Sequence, residues 1–195
     1  MKQRFNGLLL LVAAGIWAAC GDEGPEGSGR AQGVVHDPAR ASFMGELNGN
    51  VQVSISSDGS SWFDLGSLNG VTIMLQSNTD STNVHGEQTV PADQYSRVRL
   101  TFQNVSAELL AGSTVGTTTL QSDVSIALGG SDHGVEVITQ VGGFQVLADT
   151  TVRRSIILDL HSDQWITEAA VASQVVEDAA IQGAVTVTTR SEPRS

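Results

Sequence analysis

Val90-Pro91-Ala92-Asp93-Gln94-Tyr95-Ser96-Arg97-Val98-Arg99-Leu100-Thr101-Phe102 is the stretch on which the reading of this chain turns. Pro91 leads a turn into a segment that places Val98, Leu100 and Phe102 on one side. Tyr95, Arg97, Arg99 and Thr101 fall on the other. Successive side chains of a strand point to opposite faces, so this period of two predicts a half-buried antiparallel strand. The reading makes Val98, Leu100 and Phe102 core and leaves Arg97 and Arg99 facing solvent.

Working outward, other short alternating runs lie on both sides, separated by Gly, Asn, Asp and Ser. Towards the N-terminus, Ala41–Leu47, Val51–Ile55, Ser61–Leu65 and Val71–Leu75 are punctuated by Asn48-Gly49, Asp58-Gly59 and Asn69-Gly70. Such dipeptides tolerate the positive φ of tight hairpins. Towards the C-terminus, Thr117–Leu128, Val135–Val141, Phe144–Leu147, Val152–His161 and Gly183–Arg190 are further strand candidates. Trp165–Ala180 is the least strand-like stretch and predicts a short helix or irregular cover. About eight or nine short strands with frequent turn signals predict an all-β antiparallel sandwich rather than a βαβ fold.

Composition agrees. Val, Thr, Ser and Gly are plentiful, and Lys2 is the only lysine of 195 residues. The net charge of −11 becomes about −13 once Lys2 and Arg4 are removed with the leader proposed below. A field of that sign opposes nucleic acid and electrostatic docking on anionic lipid, so no nucleic-acid partner is expected. Cys20 is the single cysteine, which excludes an internal disulfide and leaves stability to the core.

The first 20 residues carry two early positive charges, an uncharged and mostly apolar run from Gly7 to Ala19, and the small pair Ala18-Ala19 before Cys20. The run is too short to span a bilayer, which takes about 20 residues, and has the make-up of a secretory signal. With a cysteine directly after the small pair, it resembles a bacterial lipoprotein signal, with Trp17 where the lipobox usually has leucine. The resemblance implies cleavage before Cys20, diacylglycerol on its sulfur and attachment to the cell envelope. Gly21 in place of an inner-membrane-retaining aspartate implies the outer membrane, facing periplasm or cell surface. The expected division is residues 1–19 as signal peptide and 20–40 as lipidated cysteine and flexible tether, rich in Gly and Pro. A β-sandwich domain over 41–190 and a disordered tail over 191–195 complete it.

Val51–Ile55, Trp62-Phe63-Asp64-Leu65, Leu68-Asn69-Gly70, Val90-Pro91-Ala92 with Tyr95 and Val98-Arg99-Leu100, and Ile156–Leu160 together carry a second resemblance. They are similar to the bacterial domain-of-unknown-function family numbered four-three-eight-two, with Asp93 where that pattern has glycine. The resemblance covers roughly residues 41–161. It implies a secreted or lipid-anchored β-domain and says nothing about chemistry. The Pro-Ala-x-x-Tyr element also resembles transthyretin-like and immunoglobulin-like modules of bacterial surfaces, which implies interaction or scaffolding.

No catalytic constellation stands out. Gly66-Ser-Leu-Asn-Gly70 and Gly112-Ser-Thr-Val-Gly116 lack the central serine of a nucleophile elbow. Zinc-protease and nucleotide-binding motifs are missing too, so no cofactor and no enzymatic activity are expected. Asp159, His161 and Asp163 would share one face of a continuing strand and are the only metal-ligand candidates, though an exposed strand face explains them as well. The loop 130–134 offers one carboxylate, too few for calcium. Trp62, Tyr95 and Trp165 are the candidate ligand-binding aromatics, set against the usual place of such residues in a core. The expected function is a non-catalytic binding, adhesion or scaffolding module held to the membrane by lipid on Cys20, its partner an envelope protein or polysaccharide. The alternative is a carbohydrate-binding or glycoside-processing accessory domain, signalled by an exposed tryptophan beside two carboxylates.

Overall fold

A computed structural model describes residues 27–38, 42–75, 80–129, 135–148 and 151–193. In chain order the strands are β1 (Ser28–Asp37), β2 (Gly45–Ser56), β3 (Phe63–Leu75), β4 (Ser81–Val84), β5 (Gln88–Pro91), β6 (Asp93–Leu109), β7 (Thr114–Val115), β8 (Thr118–Thr119), β9 (Val124–Leu128), β10 (Val135–Val146) and β11 (Val152–Asp159). Helices α1 (Ser162–Trp165) and α2 (Glu168–Ser173), strand β12 (Val175–Val176), helix α3 (Asp178–Ala184) and strand β13 (Thr186–Pro193) follow.

β6 is the spine of the first sheet. β2 pairs along one side of it, with β3 beyond; β10 and then β9 pair along the other side, with β12 outside β9. The second sheet runs β13-β11-β1-β4, with β5 continuing beside β1. The two sheets pack face to face as an all-β sandwich. Between them lie Ala31 and Val35 of β1, Val53 and Ile55 of β2, Leu65, Ile73 and Leu75 of β3, and Val98, Leu100 and Phe102 of β6. At about 25 cal/mol per Å² of apolar area removed from water, such a core stabilises the fold without a disulfide.

The face predicted for Val98, Leu100 and Phe102 is therefore the core face, and Arg97 and Arg99 lie on the opposite one. Tyr95 does not join them. Burial steps from Tyr95 to Val98 over Ser96 and Arg97, so the alternation slips by one residue there. Tyr95 sits fully buried, stacked on Phe144 at 5.7 Å and edge-on to Phe63 at 6.2 Å. Its hydroxyl donates to the Pro91 carbonyl at 2.8 Å. Burial, with Asp93 adding to it, pushes the phenol up to about 12.

Four expectations are corrected by the backbone. Residues 28–37, assigned to the flexible tether, form a strand in the middle of the second sheet, so the domain begins well before Ala41. The tail assigned to 191–195 is strand as far as Pro193. The sheets are mixed rather than wholly antiparallel, because β1 runs parallel to β11 and β12 parallel to β9. The strand segments also exceed the eight or nine expected, since short ones such as β4, β5, β7 and β12 lie outside the stretches read as strand candidates. The least strand-like region does fold as α1, α2 and α3, which close one end of the sandwich through Trp165, Ile166, Ala170 and Ile181.

β1 reads like a linker because of what it packs against. Its inward side chains are Gly29, Ala31, Gly33, Val35 and Asp37. A Cβ on Gly29 would run into the Leu147 carbonyl and lie 2.6 Å from a Val146 methyl; one on Gly33 would be 3.0 Å from Cβ of Val53. The sheets approach so closely here that only small residues fit. Asp37 ends the strand buried, its carboxylate accepting from the Ser162 N–H at 2.9 Å and the Ser162 hydroxyl at 2.7 Å. That contact ties β1 to the first helix.

Candidate functional site: a groove on the outer face of the mixed sheet

The side chains that β1, β4, β11 and β13 turn away from the core line a groove of about 570 Å³. Register arranges them in rows across the strands. One row is Thr82, His36, Asp159 and Thr186. The next is Val84, Val34, Ile157 and Thr188; after it come Gln32, Ser155 and Arg190. The last is Thr89, Arg30, Arg153 and Glu192. Each strand contributes every second residue, as pleating requires. The groove thus has an aliphatic floor between a His–Asp end and an arginine-rich end.

At the first end His36 Nδ1 lies 2.5 Å from Asp159 Oδ1, and its Nε2 is 3.8 Å from Asp80. A His–Asp pair orients an imidazole for proton transfer, but nucleophilic chemistry also needs a hydroxyl or thiol bonded to the other ring nitrogen. Among the described residues no serine, threonine or cysteine makes that hydrogen bond. What the pair offers a ligand is a fixed hydrogen-bonding edge.

At the other end Arg153 pairs with Glu192 at 2.6 Å, and the Ser155 hydroxyl donates to the same carboxylate at 3.0 Å. These bonds, that of Arg153 first, hold the Glu192 carboxyl below the usual carboxylate range. Arg30 bonds to Thr89 and faces Glu87 at 3.8 Å. Arg190 stands exposed, with no hydrogen bond or ion pair among the described residues. The Arg153 Nε is buried without an acceptor. Gln32 is fixed by donation to the His85 carbonyl at 2.7 Å.

The residues singled out from the sequence are dispersed. Asp159 faces the groove, but β11 ends there. His161 adopts φ 49° at the start of α1 and hydrogen-bonds Thr186 at 3.1 Å, while Asp163 is exposed on the helix. Leaving the strand destroys the period of two that would have aligned the three. Among the described residues no three His, Cys, Asp or Glu side chains are placed to hold a metal ion.

Trp165 and Tyr95 are core, which removes both as a ligand platform; the Trp165 indole donates to the Leu160 carbonyl at 2.9 Å. Trp62 is half-buried on the other sheet, with the Arg99 guanidinium 4.4 Å above its ring and paired to Glu136 at 3.1 Å. Cys20 and the loop 130–134 lie outside the described residues. Of the groove residues the sequence reading identified only Asp159. His36 and Arg153 carried a weak signal, alternation with small or apolar neighbours along Ser28–Asp37 and Val152–Asp159, while Arg190 and Glu192 lie on β13.

No family model, curated protein or solved structure matches this chain.

Proposed function

We propose that this chain is a non-catalytic binding module of the bacterial cell envelope, anchored through lipid on Cys20 and taking its ligand in the outer groove of the mixed sheet. The observation that carries the reading is the groove itself: an aliphatic floor bounded by oriented polar groups, the usual make-up of a ligand site. Its walls stand on paired strands rather than loops, so the polar groups are held in place before a ligand arrives. The absence of a nucleophile bonded to His36 among the described residues favours binding over catalysis. Among the described residues no Phe, Tyr or Trp side chain lines the groove, which disfavours the saccharide alternative.

The address rests on the first 20 residues and on their resemblance to a lipoprotein signal. One acyl chain holds a protein to a bilayer only marginally, whereas two or more anchor it stably. The acidic domain gains nothing from anionic lipid, so the acyl chains supply the attachment. Cys20→Ser is therefore expected to move the protein from the membrane to the soluble fraction with its unfolding midpoint unchanged. Retention in the membrane, or a mature chain by mass spectrometry that does not start at an acylated Cys20, overturns the anchoring. For the groove, a thermal-shift screen of small molecules on the full chain should find compounds that stabilise the wild type but not Ile157→Arg. If every stabilising compound acts equally on both, the groove is not the site.

A further inference from the structure

Glu192 already occupies a polar subsite at one end of the groove. Its carboxylate accepts from Arg153 and from Ser155, and Arg190, whose charge helps lower the Glu192 pKa, makes no hydrogen bond or close ion pair among the described residues. A planar carboxylate on an arginine is a strong charge-assisted arrangement. The subsite therefore displays, with a residue of its own chain, the kind of group it accepts. The setting makes this unusual: in a chain of net charge −11, Arg30, Arg153 and Arg190 gather on one face of one sheet.

Next to that subsite runs the row Val84, Val34, Ile157 and Thr188. Four strands about 4.8 Å apart make it roughly 14 Å long. The row is aliphatic, Val34 and Ile157 are half-buried and Val84 is half-exposed, so apolar surface is left open to water. Covering it is favourable in proportion to the area removed from water. Ser155 and Arg190 lie one step of two residues from this row along β11 and β13, and Arg153 and Glu192 lie two steps away.

We infer that the groove binds an amphiphilic carboxylate of the acyl type, with its headgroup on Arg190 and Arg153 and its chain laid across Val84, Val34 and Ile157. Aliphatic walls suit a flexible hydrocarbon chain, and Arg190 supplies the charge that Glu192 leaves unmatched. Glu192 competes for Arg153, acting as a resident stand-in that the ligand carboxylate displaces. This inference rests on reading the groove as the binding site.

The test is calorimetric titration of the full chain with decanoate below its micelle concentration, with decanol and acetate as controls. Decanoate is expected to bind, decanol about tenfold or more weakly, and acetate not measurably, since headgroup and chain act together. Arg190→Gln should weaken decanoate about tenfold, the loss of one charge-assisted hydrogen bond, and leave decanol unchanged. Glu192→Gln should tighten decanoate by removing the competitor and its negative charge. Both variants should remain folded with a wild-type circular dichroism spectrum, because Arg190 is exposed and a glutamine oxygen at 192 can still accept from Arg153 and Ser155.

Decanol binding as tightly as decanoate, with no effect of Arg190→Gln, overturns the carboxylate inference while the groove remains a site. Equal weakening of decanoate by Glu192→Gln overturns the stand-in role. If no amphiphile binds but neutral or cationic compounds stabilise the wild type and not Ile157→Arg, the inference falls and the binding reading stands. If no compound distinguishes those two proteins, both fall.

Discussion

Removing the Asp37 carboxylate tests whether β1 belongs to the fold, because that side chain joins residues 125 positions apart. Asp37 is 1% exposed and receives two hydrogen bonds from Ser162, one from its N–H and one from its hydroxyl. Hydrogen bonds to charged groups contribute about 1.5–3 kcal/mol each, and an orphaned buried N–H costs about 1–3 kcal/mol. Against this stands the desolvation of the carboxylate, the largest influence on its ionisation, which raises its pKa. The net expectation for Asp37→Ala is a loss of about 2–4 kcal/mol at neutral pH, roughly 5–15 °C in Tm for a chain of this size. Asp37→Asn keeps an acceptor for the N–H and sheds the charge, so it should lose less. The raised pKa adds a signature: the folded state binds more protons than the unfolded one between the ordinary value near 3.8 and the folded value. Stability from this group therefore falls as pH rises through that window and is recovered below it. Urea unfolding followed by Trp165 fluorescence reads both effects, since that indole is buried three residues from Ser162. The difference between wild type and Asp37→Asn should shift in favour of the wild type as pH falls into the window. An Asp37→Ala protein within about 0.5 kcal/mol of wild type would refute the argument and put residues 28–37 back in a tether.

Two more outcomes are expected. His85 is buried, donates through Nδ1 to the Gly66 carbonyl at 2.9 Å, and has its Nε2 buried without a partner among the described residues. Burial depresses its pKa below 6.5, so its contribution is complete above that value and lost as pH falls through it; His85→Gln should remove that part of the slope in urea midpoints between pH 7.5 and 5.5. Gln182 of α3 bonds both the N–H and the carbonyl of Ile138, at 2.9 and 2.5 Å, as a neighbouring strand would, and so seals the edge of β10. Gln182→Ala should cost about 1–2 kcal/mol and promote edge-to-edge association, visible as concentration-dependent elution in size-exclusion chromatography; a monomer at all concentrations would deny the sealing role.

Other side chains close the opposite edge of the same sheet, which explains why alternation in short strands was easy to miss. Ser81, Asn83 and His85 alternate along β4 and just past it, and bond Met74 N–H, the Thr72 carbonyl and the Gly66 carbonyl of β3. In sequence the segment reads as a polar loop, because its polar residues point at backbone rather than at water. The hairpin β2–β3 was legible in part: Asp58-Gly59 marks its turn and large apolar side chains mark the inner faces of β2, β3 and β6, whereas Asn48-Gly49 and Asn69-Gly70, read as turns, lie within the continuous strands β2 and β3. The departures within β6 have local causes that a regular period hides. Tyr95 turns inward where the facing strand shifts register between Gln140 and Phe144, and Asn104 takes φ 52° where β2 shifts between Asn48 and Asn50.

The groove was illegible for a deeper reason. His36 meets Asp159 across 123 residues in a parallel pair, and parallel strands share no turn whose chemistry could announce them. Arg153 and Glu192 meet because β13 returns antiparallel to β11, after three helices whose lengths set that register. One strand controls both ends. If β1 is placed between β4 and β11, its outward residues Arg30, Gln32, Val34 and His36 become the centre of every row, and the polar-apolar-polar order of the groove is the order of those four residues. The inward glycines that disguise β1 as a linker are the condition for that placement, since any larger residue at Gly29 or Gly33 would push the strand away from Leu147 and Val53. The signal that hid the strand and the geometry that makes the groove have the same origin: close packing of a small-residue face.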